Sequence, residues 1–335
     1  MRPALPLSVW SSVLLAAGLS ALVLAVLERG RGRLPHDHPT ARSLHERPVT
    51  RVGGLAIWAG FVPVALLAPN PVADGSVWLV AWLAVTAVSL ADDWRGVPPA
   101  IRLGVHAIAA LAVAAAMLGG AAAGGSWPIA ALAIATAALA FVWSANLFNF
   151  MDGNDGLAAV MAICGFGAYG AAAMRAGAPC EAFLALAASA LVFLAVNVPP
   201  ARTFMGDGGA VPLGFLAAVF GLAGVRAGTW PEWFPLLAFL PFLADATVTV
   251  VRRLASGADV FEAHKTHYYQ RLHRMGAGHR GTLLFYGVLI AGTSASALFT
   301  LAAAPAAGWR VLGAWAAAIA LLFAGIDYHW RKRTR

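Results

Sequence analysis

A succession of apolar runs, each close to the length of a membrane-spanning helix, constrains the fold more than any other feature of this sequence. A helix needs about 20 apolar residues to cross a bilayer, and we count about eleven such runs. They lie near 7–27, 52–69, 77–91, 101–118, 128–146, 157–174, 182–198, 209–225, 233–250, 282–302 and 308–326. Only 11% of the 335 residues are charged, against about 25% in soluble domains. We therefore predict an all-α integral membrane protein, a single polytopic domain over residues 1–335 with about eleven transmembrane helices, or ten.

Basic residues are distributed unevenly between the connections. Successive connections lie on alternate faces of the membrane. All but four of the 23 Lys and Arg residues fall in the connections of one face. That face comprises segments 28–51, 92–102, 147–156, 199–208, 251–281 and 327–335. The positive-inside rule makes it cytoplasmic, with the N-terminus outside and the C-terminus inside. Topology thus accounts for most of the net charge of +8, and we expect no nucleic-acid partner. The first run lacks a small-residue cleavage site before Glu28, so we expect it to be retained.

Most acidic residues of the connections share this predicted cytoplasmic face. The densest polar stretch is Asn146–Leu157, which lies between two apolar runs and contains two glycines. Its polar members are Asn146, Asn149, Asp152, Asn154 and Asp155. Polar groups at membrane depth are costly to keep unless they bind something. We therefore predict a binding site on the cytoplasmic face.

Two further acidic motifs lie at the ends of apolar runs. Asp92 and Asp93 close the third run, where two carboxylates oppose the helix dipole. They indicate a cation or a proton-transfer role, unless Arg95 and Arg102 simply neutralise them. Asp207 lies in the Gly-rich segment Phe204–Gly209 at the entry to another run. A helix N-cap would explain Asp207 alone, whereas the flanking glycines favour a tight turn that brings its carboxylate to a ligand.

Basic segments accompany these acids. Arg47 and Arg51 precede the pair Gly53–Gly54, and they either bind an anionic ligand or contact anionic lipid headgroups. Segment 251–281 is rich in Arg and His but has no spacing typical of zinc sites. Hard oxygen ligands suit Mg²⁺ or Mn²⁺, and a basic cover suits a phosphate-rich substrate. The alternative is a secondary transporter, whose acids should lie mid-span; here only Asp245 looks intramembrane.

Five motifs, in order, resemble those of the polyprenyl-phosphate N-acetylhexosamine-1-phosphate transferases, also called glycosyltransferase family 4. The motifs are Asp37–Gly54, Asp92–Asp93, Asn146–Leu157, Phe204–Gly208 and His264–Leu272. The resemblance implies a Mg²⁺-dependent phosphotransferase (Mn²⁺ as the alternative ion) of the inner plasma membrane. It would transfer a sugar 1-phosphate from a UDP-N-acetylaminosugar to undecaprenyl phosphate and release UMP. Membrane lipids would surround it, and a homodimer is one option for its assembly.

The resemblance also implies roles for individual residues. Asp207 resembles the main magnesium ligand, and Asn149 resembles a residue beside the metal. Phe204 matches an aromatic residue that stacks on uracil, while Asp155 and Asn197 match uridine contacts. The remaining expected site residues are Asp92, Asp93, His264 and His267 as catalytic groups and Arg51, Arg102 and Asp152 as substrate-binding groups. Arg102 enters this set because the chain has Ala100 where relatives often carry a lysine.

The histidine motif bears on the branch of the family. It reads His264-Lys-Thr-His267, whereas the muramoyl-pentapeptide branch has three consecutive histidines. This form is similar to enzymes that perform the first membrane step of O-antigen or cell-envelope polysaccharide synthesis. The sugar stays open between N-acetylglucosamine and modified N-acetylaminosugars such as N-acetylfucosamine.

Overall fold

The computed structural model is helical almost throughout, as the apolar runs predict. It describes residues 8–37, 39, 44, 47–73, 75–120, 126–259 and 265–334. Within these residues there are thirteen α-helices: α1 (Val9–Arg29), α2 (Gly53–Leu67), α3 (Val77–Arg95), α4 (Pro99–Leu118), α5 (Trp127–Met151), α6 (Leu157–Arg175), α7 (Glu181–Asn197), α8 (Asp207–Arg226), α9 (Trp233–Ala238), α10 (Leu240–Ala255), α11 (Tyr268–Leu272), α12 (Gly278–Ala303) and α13 (Gly308–Thr334). The predicted all-helical architecture is confirmed.

Eight helical segments in the described part of the chain are long and apolar enough to cross a membrane. They comprise α1, α3, α4, α5, α6, α8, the continuous segment Tyr268–Ala303, and α13 with the turn before it. Helices α2 and α7 are apolar but shorter. The number of spans and their orientation therefore stay predictions.

The ninth predicted run, 233–250, differs from expectation because it is not one helix. It breaks into α9 and α10 at Phe239, whose backbone (φ −107°, ψ 12°) departs from helical geometry. Pro241 follows in the first turn of α10, where its missing N–H costs no helical hydrogen bond. Helix α10 then ends in two basic residues, Arg252 and Arg253.

Three short strands are an addition that the sequence did not predict. They are β1 (His36–Asp37), β2 (Val49–Arg51) and β3 (Thr203–Phe204). Strand β2 is central, antiparallel to β1 and parallel to β3. Its register places Arg51 opposite Phe204. The strands therefore fix two predicted site residues side by side.

Helix α8 is the most enclosed of the eight candidate spans and lies at the centre of the described bundle, against α3 and α5. Its glycine-rich first turn allows close approach to α2. A Cβ placed on Gly54 would lie 2.6 Å from the Cα of Gly209, so neither position accepts a larger residue without a shift. The C-terminal ends of α3 and α5 meet the N-terminal end of α8, and this junction positions the site.

Candidate active site

A cavity of about 490 Å³ opens where the C-terminal end of α5 and the residues after it meet β2, β3 and the N-terminal end of α8. Seven of the predicted site residues line it: Arg51, Asn149, Asp152, Asp155, Asn197, Phe204 and Asp207. They come from separate motifs, up to 156 positions apart in sequence between Arg51 and Asp207. The structure thus brings together the motifs that the sequence presented one by one.

Asp207 is the first residue of α8, and its carboxylate contacts three other predicted site residues. Oδ2 accepts a hydrogen bond from Arg102 Nη1 at 2.8 Å and one from Asn149 Nδ2 at 3.5 Å. Oδ1 lies 3.8 Å from Arg51 Nη2. The turn before it depends on Gly206, which has φ +76° and ψ 167°. A Cβ there would lie 2.6 Å from Asp93 Oδ2, so only glycine fits this turn.

Asp93 contacts the N-terminus of α8 and does not line the cavity. Its side chain is 1% exposed. The backbone N–H groups of Asp207 and Gly208 donate to it at 3.1 and 2.8 Å, and Arg51 Nε lies 3.2 Å away. Asp93 therefore caps the N-terminus of α8, where a carboxylate is favoured by both hydrogen bonding and the helix dipole. The N-terminus of α8 is thus capped by Asp93, and not by Asp207 as one interpretation of the sequence predicted.

Asp92 turns the other way and joins α3 to α4. Its carboxylate accepts a hydrogen bond from the Val97 backbone N–H at 2.7 Å and pairs with Arg102. Arg102 in turn bridges Asp92 and Asp207. Arg102 thus neutralises part of the acidic pair, which was the alternative to a cation or a proton-transfer role. It also contacts the carboxylate of Asp207.

Asp152 follows the last residue of α5 and lines the cavity. Burial raises its pKa well above the usual range, and the nearby carboxylates of Asp207, Asp93 and Asp155 raise it further. Arg51 offsets part of this effect. The described cavity lining has four carboxyl groups, those of Asp37, Asp152, Asp155 and Asp207, and one guanidinium, that of Arg51, so it is a suitable environment for a bound cation.

Asp155 and Asn197 fasten the polar stretch to the segment before β3. Asp155 Oδ2 accepts from the Ala201 backbone N–H at 2.9 Å. Asn197 accepts from the Gly156 N–H and donates to the Thr203 carbonyl, both at 2.9 Å. Both side chains are nearly buried yet form part of the cavity lining. Their predicted uridine contacts stay predictions, beside an evident role in shaping the wall.

Of the two predicted histidines, the structure describes only His267. His264 falls outside the described residues. His267 is 2% exposed and is absent from the cavity lining; its Nδ1 lies 3.3 Å from Asp245 Oδ1. His279, which the sequence did not single out, does line the cavity. Its Nδ1 accepts from the Asp155 N–H at 3.2 Å. Only its place in the histidine-rich segment could have indicated it.

Asp245 is a second residue that the sequence did not assign, and it holds α11 against the site. It is fully buried and accepts hydrogen bonds from the backbone N–H groups of Tyr268 and Tyr269 at 2.9 and 3.0 Å. Tyr269 Oη donates to the Phe150 carbonyl at 2.9 Å, and Gln270 lines the cavity. Its position as the one acidic residue inside a predicted apolar run could have indicated its importance. From the sequence it was only the one acid that agreed with a transporter.

The donor set of the cavity suits Mg²⁺ or Mn²⁺. The carboxylates of Asp207 and Asp152 and the amide of Asn149 are hard oxygen ligands. Among the described residues, no three His, Cys, Asp or Glu side chains are grouped to hold an ion by themselves. Mg²⁺ at phosphate-binding sites usually takes only one or two carboxylates, with phosphate and water oxygens completing its shell. The residues therefore fit an ion that binds together with a phosphorylated substrate.

Sequence comparisons agree with the motifs. The sequence model of glycosyl transferase family 4 matches residues 76–225. A decaprenyl-phosphate N-acetylglucosaminephosphotransferase of Mycobacterium tuberculosis is 29% identical, aligned over 93% of this chain and 90% of the relative. A probable undecaprenyl-phosphate N-acetylglucosaminyl 1-phosphate transferase of Bacillus subtilis is 28% identical over 74% and 72%. A phospho-N-acetylmuramoyl-pentapeptide-transferase of a Synechococcus strain is 31% identical over 69% and 72%.

These matches cover most of the chain, including the end of α5 and the start of α8, where the cavity lies. Together with the ordered motifs and the helical architecture, they show that this chain belongs to glycosyl transferase family 4, the polyprenyl-phosphate N-acetylhexosamine-1-phosphate transferases.

Proposed function

We propose that this protein transfers a sugar 1-phosphate from a UDP-N-acetylaminosugar to a polyprenyl phosphate, undecaprenyl phosphate as the first candidate, and releases UMP. The observation that carries the proposal is the cavity in which Asp207, Asp152 and Asn149 converge beside Arg51. Oxygen ligands for a cation and a guanidinium for phosphate are the two parts that phosphoryl transfer needs.

The donor would lie along the cavity from β3 towards α8. Phe204 offers an aromatic face for uracil, and Arg51, its neighbour across the strands, lies within reach of the diphosphate. Asp155 and Asn197 close the uridine end. Arg102, which pairs with Asp92 and Asp207, would supply a second guanidinium for the β-phosphate. Bound Mg²⁺ on Asp207, with Asn149 and Asp152 beside it, would supply neutralisation of the charge that develops on the diphosphate.

The acceptor's phosphate oxygen would attack the β-phosphorus of the donor. One oxygen–phosphorus bond forms, and the bond from the β-phosphorus to the UMP oxygen breaks in line. A phosphate monoester has a second pKa near 6, so this nucleophile is largely ionised at neutral pH. A general base then needs to accept a proton only from the remaining fraction, and Asp92, the residue predicted for that role, is paired with Arg102 and does not line the cavity. Positioning and charge neutralisation carry most of the catalysis, and a covalent aspartyl-phosphate route is the alternative chemistry.

The sugar and the pathway belong to the same proposal. The relatives from M. tuberculosis and B. subtilis are named for N-acetylglucosamine, which makes UDP-N-acetylglucosamine the first donor to test. The His264-Lys-Thr-His267 motif favours modified N-acetylaminosugars and a role at the start of O-antigen or cell-envelope polysaccharide synthesis. The inner plasma membrane is the proposed location. Secondary transport is not favoured, because the cavity's carboxylates lie at helix ends rather than mid-span.

The test is Mg²⁺-dependent exchange between UMP and UDP-sugar in detergent. Asp207→Ala should abolish the exchange, because it removes the carboxylate that contacts Arg51, Arg102 and Asn149. Glu232→Gln, a change at an exposed carboxylate before α9, should leave it unchanged. Near-normal exchange by Asp207→Ala ends the metal assignment. Incubation of membranes with undecaprenyl phosphate and a panel of UDP-N-acetylaminosugars, followed by mass spectrometry, identifies the lipid product; no product from any donor would contradict the proposal.

A further inference from the structure

A groove between α10 and α13 runs along the outside of the bundle, apart from the cavity. Its apolar part has a volume of about 380 Å³. It is lined on one side by Leu240, Leu243, Ala244, Thr247 and Val248 and on the other by Ala316, Ile319, Ala320 and Phe323. On each helix these positions recur every three or four residues, so they form one continuous stripe.

The stripe ends at a second, polar pocket of about 460 Å³. Ala324, Asp327, Tyr328, Arg331 and Lys332 line it. Asp327 and Arg331 continue the groove-lining face of α13 for about two further turns, and Tyr328 and Lys332 lie on the adjacent side of the helix. Arg252, one turn beyond Val248 on α10, meets it there: its Nη1 lies 2.9 Å from Asp327 Oδ1.

The polar pocket carries excess positive charge. Asp327 is neutralised by Arg252 and by Arg271, whose Nη1 lies 2.5 Å from Oδ1. Arg331 and Lys332 add two cations to the lining. Lys332 lies 4.5 Å from the ring centre of Tyr328, an exposed aromatic residue of the kind found at membrane interfaces.

The dimensions match one leaflet of a bilayer. From Ala316 to Ala324 the apolar stripe is about 12 Å long, whereas the hydrocarbon of one leaflet is about 15 Å thick. An apolar trough of this length that ends in cations and an interfacial tyrosine is complementary to an acyl chain with an anionic headgroup. We propose that the α10–α13 groove binds an anionic glycerophospholipid, with its acyl chain along the stripe and its phosphate at Arg331 and Lys332.

The site is distinct from the one where the polyprenyl phosphate would react. No residue that lines either part of the groove also lines the 490 Å³ cavity. A phosphate at Lys332 therefore cannot be the nucleophile for a donor at Asp207. The groove instead contacts α11 from outside: Tyr268 stacks on Phe323 with ring centres 3.8 Å apart, and its Oη lies 3.2 Å from Asp327. A bound lipid braces the helix that carries Gln270 into the cavity.

The experiment measures lipid binding, so it does not depend on the transferase proposal. Native mass spectrometry of the purified protein, titrated with phosphatidylglycerol and with phosphatidylcholine of the same chains, counts retained lipids. We expect one phosphatidylglycerol to bind in preference to phosphatidylcholine. The double variant Arg331→Gln/Lys332→Gln should weaken its affinity about 30-fold. The matched control Arg29→Gln/Arg33→Gln removes two exposed cations at the end of α1 and should leave the affinity unchanged.

A second variant fills the apolar part and leaves the cations in place. Ala320→Trp should block retention of phosphatidylglycerol, and the inactive Asp207→Ala should retain it. Wild-type retention by both groove variants would overturn the proposal, as would equal binding of the two phospholipids. Displacement of phosphatidylglycerol by undecaprenyl phosphate, one for one and lost in the double variant, would show that the groove holds the acceptor lipid instead.

Discussion

Asp245→Asn should lower the free energy of unfolding substantially, because it changes one buried atom at the centre of a hydrogen-bond cluster. The Asp245 carboxylate is 0% exposed. Oδ1 accepts from the Tyr268 N–H, and Oδ2 accepts from the Tyr269 N–H and, at 2.5 Å, from Tyr286 Oη. Each carboxylate oxygen thus accepts a hydrogen bond from one backbone N–H in the first turn of α11.

The cost follows from this geometry. Asparagine replaces one of the two oxygens by an NH₂ group, and either orientation points that group at one of the two amides. Hydroxyls such as Tyr286 Oη can reverse and accept, but a backbone N–H cannot. One buried donor is left unpaired at about 1–3 kcal/mol, and the remaining bonds lose their charge assistance. We expect about 2–5 kcal/mol in total, a large part of a typical stability of about 5–15 kcal/mol.

Thermal unfolding in detergent measures the effect, followed by the intrinsic fluorescence of the aromatic residues. Asp245→Asn should lower the midpoint by several degrees, and limited proteolysis should cut first near α11. Glu232→Gln makes the same chemical change at an exposed carboxylate, where surface substitutions usually stay within about 0.5 kcal/mol. It should leave the midpoint unchanged.

The same variant should also weaken the site, because α11 joins the cavity wall through Tyr269 and Gln270. UMP/UDP-sugar exchange should fall in proportion to the loosening of α11 and recover partly at lower temperature. A midpoint within 1–2 °C of wild type, roughly the effect of less than 1 kcal/mol, would refute the account of Asp245 as the anchor of α11.

Three further predictions test the cavity itself. Gly206→Ala should be clearly more destabilising than Gly96→Ala in thermal unfolding: both glycines have positive φ, which costs a non-glycine residue about 1–2 kcal/mol, but only a Cβ at Gly206 meets another group, Asp93. The folded-state pKa of Asp152 is raised, so the wild type should lose stability relative to Asp152→Asn as the pH rises from about 4 through that pKa. This loss of unfolding free energy should be absent at low pH and reduced by Mg²⁺. A difference in stability that does not change with pH would contradict the prediction. Phe204→Leu should raise KM for the UDP-sugar roughly three- to tenfold through lost stacking, with KM for the lipid phosphate unchanged.

The apolar runs predicted the helices well because membrane-length hydrophobicity is a property of the local sequence. The break between α9 and α10 was missed, since Pro241 at the start of a helix and Pro241 inside one look alike in sequence. Strand β3 was missed for a different reason. Two residues carry no periodicity of their own, and Thr203–Phe204 become a strand only because β2 lies beside them.

The site was predicted motif by motif, and the structure supplies the relations between motifs. The convergence of Asn149, Asp152, Asp155 and Asp207 followed from placing all their segments on one face. The division of labour between Asp92 and Asp93 did not, because it depends on which helix N-terminus lies above α3. Capping of α8 by a carboxylate more than a hundred positions earlier is a tertiary contact, and local capping rules cannot find it.

Charge balance gives the strongest physical reason to expect a divalent cation at this site. Among the described residues, Arg51 lies within 3.8 Å of three carboxylates, those of Asp37, Asp93 and Asp207. Arg102 pairs with two, those of Asp92 and Asp207. The two guanidiniums are thus already shared among carboxylates, while burial, and after it the neighbouring carboxylates, raise the pKa of Asp152 nearby. A diphosphate entering such a cavity would be repelled, unless a cation took over Asp207 and released both arginines to the phosphates. From this balance of acids and arginines we expect an anionic donor to bind only together with a third, positively charged component.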